Sequence, residues 1–280
     1  MSGQPRDAIL VVGMGRSGSS ALTRVLSLCG AALPLDVMEP NYGNPTGYWE
    51  PARAVQINES FLQQNGSSWY DADPRRQAIE AEEPEREEFV RQITDLLLHG
   101  FEPNGPLVVK DPRISILLPY WREAAARCGM PVKVVHVFRD PAEVAASLVR
   151  RDRVTTYYAL SLWIKHNLIA ERDGRDCPRV FVHYGDLLAG WERVITGCIA
   201  RLGLELAVTG ATRDAVGGFL IAPASATDAM PDLPPGPARR IAARTMALLL
   251  GARDDALDED AFDALRAEQA GATVPLGIAV

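Results

Sequence analysis

The stretch Gly13-Met14-Gly15-Arg16-Ser17-Gly18-Ser19-Ser20 gathers the residue types that hold a phosphate or a sulfate. Glycines let backbone N–H groups close on an anion, and a turn that feeds a helix aims several of those groups the same way. Arg16 adds a planar fork of donors, and Ser17, Ser19 and Ser20 add hydroxyls. Three chemistries use such a loop. Gly13, Gly15 and Gly18 spell the GxGxxG of dinucleotide-binding turns, which also needs an acidic residue at the end of the next strand, about 20 residues on. Asp36 and Glu39 stand near that distance, but the segment before them, CGAALPLDVM, makes a poor strand. A triphosphate loop needs Gly-Lys-Ser/Thr, and no lysine stands here. The third chemistry is phosphosulfate binding. A plain strand-to-helix turn requires neither the arginine nor the serines.

A second constellation follows at Phe138-Arg139-Asp140-Pro141, with Ser147 eight residues after Arg139. It places a bidentate cation at a strand end and a hydroxyl two turns into the next helix, a pair suited to a phosphate monoester. Neither a dinucleotide dehydrogenase nor a kinase requires this second element. A nucleotide with anionic groups on both sides of its ribose does.

These segments resemble the PAPS (3'-phosphoadenosine-5'-phosphosulfate)-dependent sulfotransferase superfamily. Arg16 to Leu22 is similar to the family's R-x-G-S/T-S/T-x-L/F loop, and RDPAEVAASLVRR resembles the element whose arginine and serine bind the 3'-phosphate. Lys110-Asp111-Pro112-Arg113 resembles the lysine segment that reaches the sulfuryl group, and VFVHYGDLL resembles the Y-x-D-L segment. The resemblance implies that Gly15, Arg16, Ser17, Gly18, Ser19, Ser20, Arg139, Ser147 and Tyr184 bind the co-substrate, Tyr184 against the adenine. It implies catalytic roles for Arg16 and Lys110, with Arg113 on cofactor or acceptor or bracing its loop. Cytosolic members carry a histidine two residues after the lysine; Pro112 stands there instead. The carbohydrate and tyrosylprotein branches use a carboxylate, and this chain is expected closer to them. Asn44-Pro45-Thr46-Gly47-Tyr48-Trp49-Glu50 resembles an NPxGYxE element of bacterial sulfotransferases, which makes Glu50 the expected general base, desolvated by Tyr48 and Trp49, with Glu39 as rival. The family's late basic loop is absent; Arg239, Arg240 and Arg244 are its candidate replacements.

The implied reaction is in-line transfer of a sulfuryl group from PAPS to a hydroxyl of a small-molecule, glycan or glycolipid acceptor, releasing PAP and needing no metal. Two other readings stay open: an NAD(P)-dependent oxidoreductase built on GxGxxG, and a PAP-binding protein without turnover. Tyr42, Tyr48, Trp49, Trp69 and Tyr70 could stack on an acceptor or belong to a local core.

Short apolar runs must position these residues. Strands are expected at 8–12, 106–110, 133–138 and 179–184, and helices at 19–29, 85–99, 112–128, 141–150, 156–173 and 188–202. Their alternation predicts an α/β fold, P-loop-like and doubly wound, with a mainly parallel sheet flanked by helices in one domain spanning 1–280. Asp140, Pro141 and Glu143 read as a capping box. Residues 33–73 read as a long, partly structured excursion over the active-site edge, 222–237 as a loop, and 251–269 as an exposed acidic helix. The net charge of -7 removes any global attraction for nucleic acid. Cys29, Cys128, Cys177 and Cys198 are spaced like buried free thiols. The absence of a leader or of a membrane-length apolar run suggests a cytoplasmic protein.

Overall fold

The computed structural model describes residues 6–41, 44, 46–220, 233 and 235–271. Four β-rich runs form parallel strands: β1 (Ala8–Val12), β2 (Leu107–Lys110), β3 (Val132–Phe138) and β4 (Arg179–His183), in the order β2-β1-β3-β4. Leu10 pairs with Val109 on one side and Val134 on the other, so β1 is central and its neighbours end beside it. Every residue of β1 and β2 is buried, as expected for strands covered on both faces.

Alternation sorts the side chains. Ala8, Leu10 and Val12 face a core shared with α2 (Ala52–Gln64), α3 (Glu85–His99) and α4 (Ile114–Arg127). Ile9 and Val11 face α1 (Ser19–Leu28) and α7 (Tyr184–Leu202). A third core, around Trp163, joins α5 (Pro141–Asp152), α6 (Thr156–Asp173), α9 (Pro237–Arg253) and α10 (Glu259–Ala270). The chain leaves β1 toward β2 and later returns to β1's other side as β3. The carboxyl ends of β1 and β3 therefore flank a topological switch point, where open α/β sheets bind ligands.

The structured part of the 33–73 excursion is α2, whose start is capped from a distance: Asp36 Oδ2 accepts from the Arg53 N–H at 2.8 Å. Several other expectations change. α8 (Gly210–Phe219) and α9 were not expected; α8 carries three glycines and is rescued by a Thr209/Thr212 capping box. α7 starts at Tyr184 rather than near 188 and kinks at Gly190. Asp140 caps α5 through the Ala142 N–H, but Glu143 turns to the Arg139 guanidinium instead of completing a box. α10 is acidic but not merely exposed, since Phe262 and Leu265 are buried and Arg175 and Arg179 grip its first turns. All four cysteines are free thiols, with Cys128 and Cys177 only half-buried. Among the described residues no helix is long and apolar enough to cross a membrane. The loop expected at 222–237 lies mostly outside the described residues.

Candidate functional site

The glycine-rich turn follows β1 directly. A Cβ on Gly13 (φ +123°) would lie 2.1 Å from the Val137 carbonyl oxygen, so only glycine lets the loop leave between β1 and β3. The Ser115 hydroxyl pins that point, accepting from the Gly13 N–H at 2.9 Å and donating to its carbonyl at 3.0 Å. Arg16 is held at φ 72°, a left-handed conformation unusual for a non-glycine residue and characteristic of strained functional turns. Gly18, at φ 86°, is the N-cap of α1. The first N–H groups of a helix lack intrahelical acceptors and carry its positive dipole end. Those of Ser19, Ser20 and Ala21 sit where these residues line a cleft of about 430 Å³. Ser17 is the exception in the loop: its side chain is fully buried and does not line the cleft.

The second constellation meets the first. Arg16 Nε donates to the Ser147 hydroxyl at 2.8 Å, joining the β1 loop to α5 across 131 residues of sequence. Arg139 lines the same cleft; its Nε is paired with Glu143, and its guanidinium lies 5.1 Å from the Tyr184 ring centroid. The Tyr184 ring packs directly on Gly18, which leaves no room there for a side chain. Arg151, one helical turn after Ser147, lines the cleft as well, bidentate on Asp152 and 5.6 Å from the Trp69 centroid. Burial, then the Arg151 guanidinium, with Arg139 adding to both, holds Arg16 below the ordinary arginine range. Three arginines thus stand together at this end of the cleft, two of them, Arg139 and Arg151, each held by a neighbouring carboxylate. The sequence reading missed Arg151 and Asp152. The i,i+4 spacing from Ser147, which puts Arg151 on the same helix face, is the signal that could have found them.

At the other end of the cleft, Lys110 closes β2. Its ammonium is paired with Glu50 and also reaches the Ser20 hydroxyl at 3.2 Å and the Tyr48 carbonyl at 3.4 Å. Both side chains of the pair are under a tenth exposed. Burial pushes the Glu50 carboxyl up, opposed by Lys110 and reinforced by the nearby Asp111. Asp111 is itself fixed by Asn58 Nδ2 at 2.9 Å and by Arg113, which also holds Glu59. Arg113 lines the cleft, yet its fork is occupied by these carboxylates, so bracing is the role its contacts show.

Other expectations are relocated. Tyr48 lines the cleft, its hydroxyl donating to Asn41 Oδ1 at 2.7 Å, and Trp69 and Tyr70 form another wall. Trp49 does not help desolvate Glu50: at φ 57° it turns the other way, into the core beside Phe219 and under Arg24. Glu39 is exposed and Asp36 caps α2, so neither acid reaches the cleft. The acidic partner that the dinucleotide fingerprint demands is therefore out of place. Arg239 donates to the Leu233 carbonyl and Arg244 pairs with Glu268; with Arg240, they lie away from the cleft lining. His99 is exposed, His183 faces Asp186 at 3.8 Å, and His136 and His166 are buried with their pKa values pushed down to about 4 by burial. None of these histidines lines the cleft. Tyr42 lies outside the described residues.

Among solved structures, the fold is similar to the sulfotransferase domain of the Synechococcus olefin synthase, at 17% identity and a TM-score of 0.45, covering 98% of this chain and 90% of that one. It is also similar to the sulfotransferase STF1 of Mycobacterium tuberculosis, at 15% identity and a TM-score of 0.46, covering 96% of this chain and 77% of that one. No protein-family model matches the sequence, and no curated protein does.

Proposed function

We propose that the cleft transfers a sulfuryl group from PAPS to an acceptor hydroxyl. The observation that carries this reading is the Arg16–Ser147 hydrogen bond, with Arg139, Arg151 and Tyr184 around it. It makes one continuous anion-binding surface from two elements that the resemblance assigns to opposite ends of one nucleotide. The α1 N-terminus and the Ser19 and Ser20 hydroxyls would hold the 5'-phosphosulfate. Arg139, Ser147 and Arg151 would hold the 3'-phosphate, and the Tyr184 ring would lie against the base.

In the transfer, the acceptor oxygen bonds to sulfur while the bond from sulfur to the 5'-phosphate oxygen breaks. Arg16 and Lys110 offset charge on the sulfuryl and leaving oxygens, as positioned cations do in phosphoryl transfer. The acceptor proton passes to a Glu50 carboxylate oxygen. Lys110 couples these roles. When its ammonium turns toward the sulfuryl oxygens, Glu50 loses its counter-ion and its proton affinity rises as a base is needed.

The test is binding of PAP, measured by calorimetry and thermal shift without added metal. A clear shift is expected with PAP and none with NAD, and Arg139→Ala should weaken PAP binding by about 10- to 100-fold, the loss of a charged hydrogen-bonding partner. A response to NAD in place of PAP overturns the reading.

A further inference from the structure

We infer that the acceptor is an uncharged alcohol that lays an apolar or ring face beside Glu50, an inference that rests on the sulfuryl-transfer reading. The charge balance of the cleft leads to it. Arg16, Lys110, Arg113, Arg139 and Arg151 line the cleft, and four of the five hold carboxylates. Lys110 is on Glu50, Arg113 on Asp111 and Glu59, Arg139 on Glu143, and Arg151 on Asp152. Five cations are thus matched by five carboxylates before any ligand enters. A phosphosulfate donor with a 3'-phosphate adds about four negative charges, so the acceptor approaches a site that is strongly negative.

An anionic acceptor needs a cation of its own near the reacting hydroxyl. The candidate is Arg113, three residues from Lys110. Its Nε already donates to Glu59 at 2.6 Å and an Nη to Asp111 at 3.0 Å, with its side chain 14% exposed. Beyond Lys110, Asp111 and Arg113, uncharged groups build the described wall beside Glu50. Met38 is tied to it by a backbone hydrogen bond of 2.8 Å, Val55 follows on α2, Pro112 stands after Asp111, and the Tyr48 carbonyl takes Lys110. These side chains offer van der Waals contact and a phenol, which suit a neutral sugar ring or an alkyl or aryl alcohol.

The test uses labelled PAPS and acceptors in matched pairs that differ by one carboxylate charge: the methyl ester of 4-nitrophenyl glucuronide with the free glucuronide, octanol with 8-hydroxyoctanoate, and 2-phenylethanol with its ring carboxylate. A carboxylate held several ångströms from the donor anions predicts kcat/KM lower on the order of 30-fold for the charged member of each pair. Val55→Lys, which adds a cation to the acceptor wall, should narrow or reverse the gap. The inference is overturned if charged members react as fast as neutral ones, or if no pair is labelled although PAP binds. Failure of PAP to bind is a different result, and it removes the donor reading and this inference together.

Discussion

Replacing Gly18 by alanine tests the core of the site with a single methyl group. The new Cβ would lie 2.0 Å from Cδ2 of Tyr184 and 2.5 Å from Cε2, inside the ring's contact surface. Carbon atoms pack at about 3.5 Å or more, so the ring must retreat by roughly 1.5 Å. Tyr184 begins α7 and supports the Arg139 guanidinium, so the displacement reaches both the helix start and the cation. Overpacking of this kind costs about 1–3 kcal/mol. The left-handed φ of 86° adds about 1 kcal/mol for an L-residue. Together they predict a loss of about 3 kcal/mol, or roughly 6–12 °C in Tm for a chain of this size. PAP affinity should fall at least about 30-fold, because the adenine face and Arg139 move together. The companion is Gly18→Ala with Tyr184→Ala. Removing the ring relieves the clash but not the backbone strain, so the double variant should be more stable than the sum of the single losses by about 1.5 kcal/mol. Urea denaturation of the four proteins gives the cycle directly. Strict additivity, or Gly18→Ala unfolding within 2 °C of the parent (roughly the precision of the comparison) with unchanged PAP affinity, refutes the packing argument.

Glu50→Gln keeps the shape of the buried pair and removes the base; PAP affinity should stay within about threefold while kcat falls by about 10²- to 10⁴-fold. Full turnover in this variant would show that another group takes the proton. With Glu50 intact, activity needs the ionised carboxylate. Burial raises its pKa, so kcat/KM should fall on the acid side at a pH above the usual carboxylate range, and a profile flat down to pH 4.5 would contradict this. His136 and His166 give an independent pH effect on stability. Both stay neutral in the fold with pKa values near 4 against an ordinary 6.5, so between those values the unfolded chain binds more protons. Stability is complete above pH 6.5 and is lost as pH falls toward 4, by about 3 kcal/mol for each histidine. Tm recorded from pH 7.5 to 4.5 should drop accordingly, and His136→Gln should flatten the slope; an unchanged slope would place the proton elsewhere.

The strands were legible because β1 to β4 are short, β-branched runs ending in turn chemistry, and observed bounds differ from expected ones by no more than a residue. Helices with local signals, such as α3 and α6, were equally plain. α2, α8 and α9 were not, because what stabilises them is distant or unfavourable to local reading: a carboxylate 17 residues upstream, a helix with three glycines, and packing of α9 on the Trp163 core.

The residue types of the site were written in the chain. Gly18, Arg16, Lys110, Glu50, Arg139, Ser147 and Tyr184 have the donors, charges and faces their chemistry needs; the first loop, Lys110, Arg139 and Tyr184 read as strand ends or the turns after them, Ser147 as two turns into a helix, and Glu50 as part of the 33–73 excursion. What the chain could not state is which of them touch. The Arg16–Ser147 bond, the Glu50–Lys110 pair and the ring of Tyr184 on Gly18 each join segments far apart in sequence. They exist because β2 and β3 flank β1 and β4 follows beside β3, which brings the carboxyl ends of four parallel strands to one edge of the sheet. Likewise, only the fold turned Trp49 away from the cleft, left Glu39 in solvent and added Arg151. Local sequence fixes a residue's chemistry and its element, whereas orientation and neighbours follow from how the elements pack.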